Sequence, residues 1–305
     1  MFKAPPSVST EVFTTVPKEF RKPGQAPAER IAAGKSTLKT DTYIEGPSFD
    51  RAGNLYFVDI AFGRIYRSNP AGEVELLIEY DGEPNGLKIH RDGRIFVADH
   101  KNGLMLFDPQ AKAIKPLLTS FNAEPFKGLN DLFFTSNGDL YFTDQGRTGL
   151  QDPSGRVFRM TSQGEVSCLL SNAPSPNGIV LSANGSHLYI AVTRSNSIWR
   201  TMLLQDGSIT RVGNFIQMSG GSGPDGLALD QEGNLYVAHA GMGVVWKFSP
   251  KGEPLLRINS CAGNMTTNLA FGGKDSRDLF ITETDSGSIL TARMDAPGQT
   301  LFSHQ

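Results

Sequence analysis

One short pattern occurs six times along the chain, with its copies starting 40, 45, 47, 48 and 42 residues apart. Each copy has a polar residue, an apolar strand, a turn rich in Asn, Asp and Gly, and a second apolar strand. The clearest copy is GPDGLALDQEGNLYVAH at residues 223–239. Repeats of about 40 to 50 residues that contain several short strands are typical of β-propellers. The pattern therefore predicts an all-β fold, a six-bladed β-propeller.

Two further strands follow in each repeat, so the blades are predicted to be four-stranded and antiparallel. The second strand is apolar at successive positions, which indicates that both of its faces are buried between neighbouring blades. The repeats leave no room for a second core, so we predict a single propeller domain over residues 31–305. Residues 1–30 contain several prolines and are predicted to form an N-terminal arm. Residues 30–44 are the predicted source of a strand that closes the ring.

Composition argues against several classes of partner. The chain has 29 basic and 31 acidic residues, with no basic stripe, so nucleic acid is not expected to bind. The N-terminal residues lack the apolar core of a signal peptide. No apolar run approaches the ~20 residues of a membrane span, and Cys168 and Cys261 lack the spacing of a metal site. These features predict a cytoplasmic protein; homo-oligomerisation stays open.

One polar position precedes the first strand of every repeat. The six residues at this position are Glu45, Asn85, Asn130, Asn177, Asp225 and Thr267. Because the first strands of a propeller surround its central channel, equivalent positions should converge at one end of the channel. Carboxylate and amide oxygens suit a hard cation such as Ca²⁺ or Mg²⁺, so the set predicts a metal site. The alternative is that the Asn-Gly and Asp-Gly pairs only form turns.

A second set of polar residues follows at the ends of the second strands. Its members are Asp59, Asp99, Asp144, Thr193, His239 and Glu283. They could orient the ligands of a metal by hydrogen bonding, or they could bind loop amides, which is the interpretation favoured for Asp59 and Asp99. His239 shares a repeat with Asp225 and is a candidate substrate contact; a purely structural histidine is the alternative.

These motifs resemble those of the SMP-30/gluconolactonase/luciferin-regenerating-enzyme-like (LRE-like) family. The resemblance covers about residues 44–290 and rests on Glu45-Gly46-Pro47, Asn130-Asp131, Pro176-Asn177-Gly178, Pro224-Asp225-Gly226 and TTNLAFGGKDSRDLFIT at residues 266–282. It implies a six-bladed propeller that hydrolyses lactones with a divalent cation, usually Ca²⁺, while Mg²⁺, Mn²⁺ and Zn²⁺ stay open. The implied metal ligands are Glu45, Asn177 and Asp225, with Asn130 as a further ligand or substrate contact. Asp225 is also the implied general base.

Two positions differ from the sugar-lactone members of that family. Gly128 stands where those members resemble one another in having an arginine, and Thr148 stands where they tend to have an acid. Both differences argue against an aldonolactone substrate. Asn85 instead resembles the drug-responsive-lactonase and phosphotriesterase-like branch, so it is a candidate substrate contact. Two alternatives to a lactonase remain: a phosphotriesterase-like hydrolase on the same site, and a non-catalytic propeller braced by a metal.

Overall fold

The computed structural model describes residues 4–305 and contains six antiparallel sheets arranged as the blades of a propeller. The first strands of neighbouring blades contact each other in a closed ring, because the first strand of blade 6 packs against that of blade 1. This arrangement confirms the predicted six-bladed β-propeller. Strands are counted below from the channel outward.

Blades 1 to 3 each contain four consecutive strands. Blade 1 consists of Ile44–Phe49, Leu55–Asp59, Arg64–Ser68 and Val74–Glu79. Blade 2 consists of Pro84–Ile89, Ile95–Asp99, Gly103–Asp108 and Ala113–Leu118. Blade 3 consists of Leu129–Phe134, Leu140–Asp144, Gly155–Met160 and Val166–Ala173. A small hairpin between blades 2 and 3 pairs Ser120–Phe121 with Glu124–Pro125.

Blades 4 and 5 follow the same plan, whereas blade 6 takes only three strands from its own repeat. Blade 4 consists of Pro176–Leu181, His187–Val192, Ser197–Met202 and Gly213–Gln217. Blade 5 consists of Gly223–Leu229, Leu235–Ala240, Val244–Phe248 and Pro254–Asn259. Blade 6 consists of Thr266–Gly272, Asp278–Glu283 and Ser288–Arg293. The helical segments are short: Lys18–Phe20, Ala28–Ala32, Thr193–Ser195 and Phe302–His304.

The ring is closed by the N-terminal part of the chain. Strand Glu11–Thr15 pairs antiparallel with Ser288–Arg293 and becomes the fourth strand of blade 6. Strand Ser7–Ser9 adds a fifth, parallel strand to blade 5. The prediction that residues 30–44 close the ring was therefore wrong, because most of that segment folds as a short helix and loops beside the channel. The boundary at residue 30 stays a prediction, although strands on its N-terminal side take part in two blades.

The core lies between the blades, as the apolar second strands predict. In blade 1 the adjacent residues Phe57 and Val58 are fully buried on opposite faces of the sheet. Phe57 packs with Phe280 of blade 6, and Val58 packs with Leu87 of blade 2. Burying an apolar side chain of this size stabilises a fold by about 1.5–3 kcal/mol. Each second strand therefore joins two blade interfaces.

A β-bulge interrupts every first strand at its polar position. In blade 5 the pairing with the second strand shifts between Pro224 and Leu227, which takes Asp225 and Gly226 out of the regular ladder. The other five blades show a shift at the corresponding place. A bulge twists a strand locally and redirects a side chain. This irregularity explains how a strand buried on both sides can still present a polar residue to the channel.

The C-terminal segment crosses the opposite face of the propeller. Its backbone bonds to blade 5, where the Gln231 amide donates to Pro297 O at 2.9 Å. Further along, Arg51 of blade 1 donates to Ser303 O at 2.8 Å, and the buried ring of Phe302 packs against Phe134 of blade 3. The final residues thus bind the turns of blades on both sides of the channel.

Within residues 4–305, the helices are too short or too polar to cross a membrane.

Candidate metal centre and active site

A cavity of about 980 Å³ opens at the end of the channel where the first strands begin. Five of the six predicted ring residues line it together: Glu45, Asn85, Asn130, Asn177 and Asp225. Thr267 does not reach the cavity. Its hydroxyl is fully buried, donates to Ile44 O at 3.1 Å and lies 2.8 Å from the Thr282 hydroxyl. The ring therefore supplies two carboxylates and three amides.

Glu45 lies deepest in this ring and is held by two donors. It is 3% exposed, and its Oε2 accepts hydrogen bonds from the Gly46 amide at 2.6 Å and from Asn268 Nδ2 at 2.8 Å. The same Asn268 Nδ2 lies 3.3 Å from Asp131 Oδ2. Asn268 therefore bridges two carboxylates and fixes the side of the ring formed by blades 1, 3 and 6.

The carboxylates of the site repel one another. Burial, followed by the charge of Asp131, raises the pKa of Asp225 from its ordinary 3.8 to about 8. Burial, followed by the charges of Asp225 and Asp131, raises the pKa of Glu45 well above its ordinary range. Crowded, buried carboxylates resist ionisation unless an opposite charge lies between them. The electrostatics of the ring therefore favour a bound cation.

An unpaired amide oxygen points to the same conclusion. Asn177 Oδ1 is buried and has no hydrogen-bond partner within the described part of the chain. Leaving a buried acceptor unsatisfied costs about 1–3 kcal/mol, a cost that a coordinated cation would offset. Carboxylate and amide oxygens are also the ligands that Ca²⁺ prefers. These residues thus fit a hard divalent cation.

The amides are an essential part of that fit. Within residues 4–305, no three His, Cys, Asp or Glu side chains are grouped to hold a metal. A cation at the ring would therefore depend on amide oxygens as well as carboxylates. Asn130 is oriented for this purpose, because its Nδ2 donates to Gln145 Oε1 at 3.0 Å.

The acids at the ends of the second strands bind the loops that lead into the ring. Asp59 accepts from the Tyr43 amide at 3.0 Å, and Asp99 accepts from the Glu83 amide at 3.2 Å. Both amides lie two residues before a ring residue, and Asp144 and Glu283 make the corresponding bonds in blades 3 and 6. The prediction that Asp59 and Asp99 bind loop amides is confirmed. These acids position the ring through the backbone.

The structure does not bring His239 into the cavity. Its Nδ1 accepts a hydrogen bond from Trp246 Nε1 at 3.2 Å, so Nε2 carries the proton and donates to Gly220 O at 3.0 Å. Burial lowers the pKa of the ring, which keeps it neutral. Both nitrogens are occupied, so the contacts of His239 are those of a structural histidine.

One wall of the cavity is polar and occupies the space above Gly128. A Cβ at Gly128 would lie 2.2 Å from the ring of His100, so any side chain here would displace that ring. Lys35 Nζ donates to His100 Nε2 at 2.7 Å. Burial and then the charge of Lys35 lower the pKa of His100 to about 4, so His100 is neutral at physiological pH. The space above Gly128 is therefore filled by the lysine–histidine pair.

Thr148, the second position that differs from the sugar-lactone members, is held by hydrogen bonds to two loops. Its hydroxyl donates to Gln145 O at 2.6 Å and accepts from the Ser175 amide at 3.0 Å. Gln145 in turn accepts from Asn130. Thr148 thus connects the loop beside Asn130 to the loop that leads into Asn177.

Sequence reasoning missed three residues beside the ring. Asp131 and Asn268 stand one position beyond it, where the other repeats have glycine, and this departure from glycine was the available signal. Tyr43 lies outside the repeat pattern and lines the cavity. Burial and the charge of Asp225 raise the pKa of Tyr43, so its phenol remains a hydrogen-bond donor.

The raised pKa of Asp225 predicts how cation binding depends on pH. Between pH 3.8 and about 8, folded Asp225 holds its proton more tightly than unfolded Asp225. Stability without a cation should therefore fall as pH rises through this window. A cation competes with that proton, so Ca²⁺ should raise the melting temperature little at pH 5 and by several degrees at pH 8. Thermal unfolding of chelator-treated protein across this range checks the prediction; a Ca²⁺ effect independent of pH contradicts it.

Comparisons with known proteins show the family of the chain. The family model of the SMP-30/gluconolactonase/LRE-like region matches residues 44–285. Lactonase drp35 of Staphylococcus aureus strain MRSA252 is 32% identical over 231 residues, covering 72% of this chain and 70% of the relative. Lactonase drp35 of Staphylococcus epidermidis strain ATCC 12228 is 31% identical over 226 residues, covering 70% and 69%.

Solved structures share the fold. The calcium-binding protein regucalcin from Agrobacterium tumefaciens superposes with a TM-score of 0.75 at 25% identity, covering 86% of this chain and 94% of that one. A gluconolactonase from Xanthomonas campestris superposes with a TM-score of 0.73 at 21% identity, covering 84% and 86%, which shows a common fold. From its motifs, its propeller and these matches, the chain belongs to the SMP-30/gluconolactonase/LRE-like family.

Proposed function

We propose that this protein hydrolyses the ester bond of a small lactone with the help of a divalent cation, Ca²⁺ in the first place. Glu45, Asn130, Asn177 and Asp225 would hold the cation. The observation that carries the proposal is the convergence of two mutually repelling carboxylates with the buried, unpaired Asn177 Oδ1 in one cavity. Similarity to lactonases and to a calcium-binding propeller supports it.

Asp225 has the central chemical role in this proposal. When bound, a divalent cation would draw electron density from the lactone carbonyl as a Lewis acid and hold Asp225 in its ionised form. Asp225 accepts a proton from water as the water oxygen bonds to the carbonyl carbon. The ring C–O bond then breaks, and the leaving oxygen takes up the proton. The product is one open-chain hydroxy acid.

Further cavity residues, together with the cation ligand Asn130, orient the substrate. Asn85 and Asn130 present amides beside Asp225, and Tyr43 offers a phenol O–H. A fixed set of donors reduces the entropy cost of bringing the ester to the base. The His100 and Lys35 pair narrows the side of the cavity above Gly128. We propose that this wall selects lactones other than the aldonolactones.

A small lactone panel tests the function. Protein stripped with a chelator is assayed by a pH indicator with aldonolactones, dihydrocoumarin and simple γ-lactones, with and without added Ca²⁺ or Mg²⁺. We expect acid release only after a cation is restored, and fastest with a substrate that is not an aldonolactone. Full activity in the stripped protein contradicts the metal dependence. A thermal shift with Ca²⁺ but no turnover supports a braced scaffold. If a parallel assay with a fluorophosphate shows turnover while the lactones show none, the site is that of a phosphotriesterase.

A further inference from the structure

A lysine lies inside the propeller next to the carboxylates of the site. Lys88 is on the first strand of blade 2, and its Nζ lies 3.9 Å from Asp131 Oδ1. The Lys88 side chain is 16% exposed and that of Asp131 is 3% exposed, so water screens the pair weakly. Neither residue lines the cavity. The pair can therefore influence the ring residues through its charges without lining the cavity itself.

Both members of the pair are exceptions in their repeats. The residues equivalent to Lys88 in the other blades are uncharged: Ser48, Phe133, Val180, Ala228 and Ala270. Asp131 replaces the glycine found at its position in four other repeats. Gly86 makes room for the pair, because a Cβ there would lie 2.8 Å from Asp131 Oδ1. A half-buried lysine beside a buried aspartate in one channel is a specific addition to the repeat.

The pair changes the charge that a cation would meet. Asp131 repels Glu45 and Asp225, since its charge raises the pKa of both. With all three ionised, the site would carry three negative charges, and Lys88 reduces this to two. Arg194 also lies near Asp225 but is exposed, so solvent screens most of its charge. When these three carboxylates and Lys88 are all ionised, the four groups carry a net charge equal and opposite to that of a divalent cation.

We propose that Lys88 is a specificity-determining residue that matches the charge of the ring to a divalent cation. The inference rests on the proposed cation site. Removing the lysine should strengthen the binding of every cation, and more so for cations of higher charge, because the lost repulsion scales with cation charge. A role in folding alone would weaken binding or leave the preference between cations unchanged.

Binding of Ca²⁺ and of Tb³⁺, a trivalent ion with the same preference for oxygen ligands, tests this charge dependence. In Lys88→Met we expect affinity to rise by on the order of tenfold for Ca²⁺ and thirtyfold for Tb³⁺. The logarithm of the affinity should change in proportion to the charge of the cation, which is two for Ca²⁺ and three for Tb³⁺. Calorimetry measures Ca²⁺, and terbium luminescence measures Tb³⁺. Lys88→Gln removes the same charge with a polar side chain and should give the same ratio if Lys88→Met folds poorly. Lys88→Arg keeps the positive charge and should therefore keep the wild-type preference between Tb³⁺ and Ca²⁺.

A buried lysine elsewhere in the propeller provides the control. Lys247 lies 2.6 Å from Asp295 and 3.4 Å from Asp230, away from the cavity. Lys247→Met removes a buried charge and should lower stability without changing the Tb³⁺ to Ca²⁺ preference. If wild-type protein binds cations but the Lys88 variants keep its preference, the role of Lys88 is overturned while the cation site stands. If wild-type protein binds neither ion, the cation site and the role of Lys88 both fall.

Discussion

Replacing Asp225 by asparagine is expected to lower cation-dependent lactone hydrolysis by about 10²–10⁴-fold, because the variant loses the proposed proton acceptor. Asparagine has nearly the same shape but cannot take a proton from water at neutral pH. It also removes one negative ligand, so kcat must be measured at saturating Ca²⁺, with the affinity for Ca²⁺ determined separately by calorimetry. More than a tenth of wild-type kcat at saturation would remove Asp225 from the chemistry.

The same variant should be more stable than the wild type when no cation is present. The introduced amide carries no charge to be repelled by Glu45 and Asp131, so the free energy of unfolding at pH 8 should rise in chelator. Asp285→Asn is the matched control. Asp285 lines the same cavity but is exposed, and its carboxylate accepts from the Asn264 amide at 3.1 Å. This control should keep wild-type kcat and gain no stability.

Replacing Gly226 by alanine is expected to lower the free energy of unfolding by about 1–3 kcal/mol or more, because a core without free space must accept a methyl group. The new Cβ would lie 2.2 Å from Asn268 Oδ1 and 2.6 Å from Asn268 Cα. The second contact is to backbone, which a rotamer change cannot relieve. Asn268 bridges Glu45 and Asp131, so Ca²⁺ affinity should fall together with stability.

Gly213→Ala is the control for the glycine substitution. Among the described residues, no heavy atom beyond its chain neighbours lies within 4 Å of a Cβ at Gly213, and its φ is not in the left-handed region. Urea unfolding should therefore show a change within about 0.5 kcal/mol of zero, or a small gain from the stiffer unfolded chain. Equal losses in both variants would mean that the close approach at Gly226 is relieved by movement of blade 6.

The repeat pattern was sufficient to predict the number of blades and the convergence of five ring residues. Periodicity carries that information because equivalent positions in a closed ring must lie around one axis. It also placed Thr267 at its correct register, but the direction of that side chain depends on bonds to Ile44 and Thr282, which lie in other strands. The direction of a side chain within a bulge is therefore decided by contacts with other strands, which a local sequence pattern does not show.

Two further features of the structure depend on contacts that the local sequence does not indicate. Glu11–Thr15 is rich in β-branched and aromatic residues, which favour strands, and the neighbouring prolines favour an extended arm, but neither pattern indicates which blade the strand joins. The contacts of His239 depend on Trp246 and Gly220, and nothing in the sequence near His239 indicates them. Asp131 and Asn268 could be identified from the sequence, because each occupies a position where the four other repeats have glycine.

Closure of blade 6 by the N-terminal strand has a consequence for how the chain is made. Glu11–Thr15 is synthesised long before its partner Ser288–Arg293, because the six repeats lie between them in the sequence. Pairing these two strands requires a loop that contains the intervening repeats, and contacts of such separation form slowly. The first blades of a nascent chain can therefore fold while Glu11–Thr15 is still unpaired. An unpaired strand edge can associate with other chains. Synthesis of the sixth repeat, which supplies the pairing partner, ends this exposure.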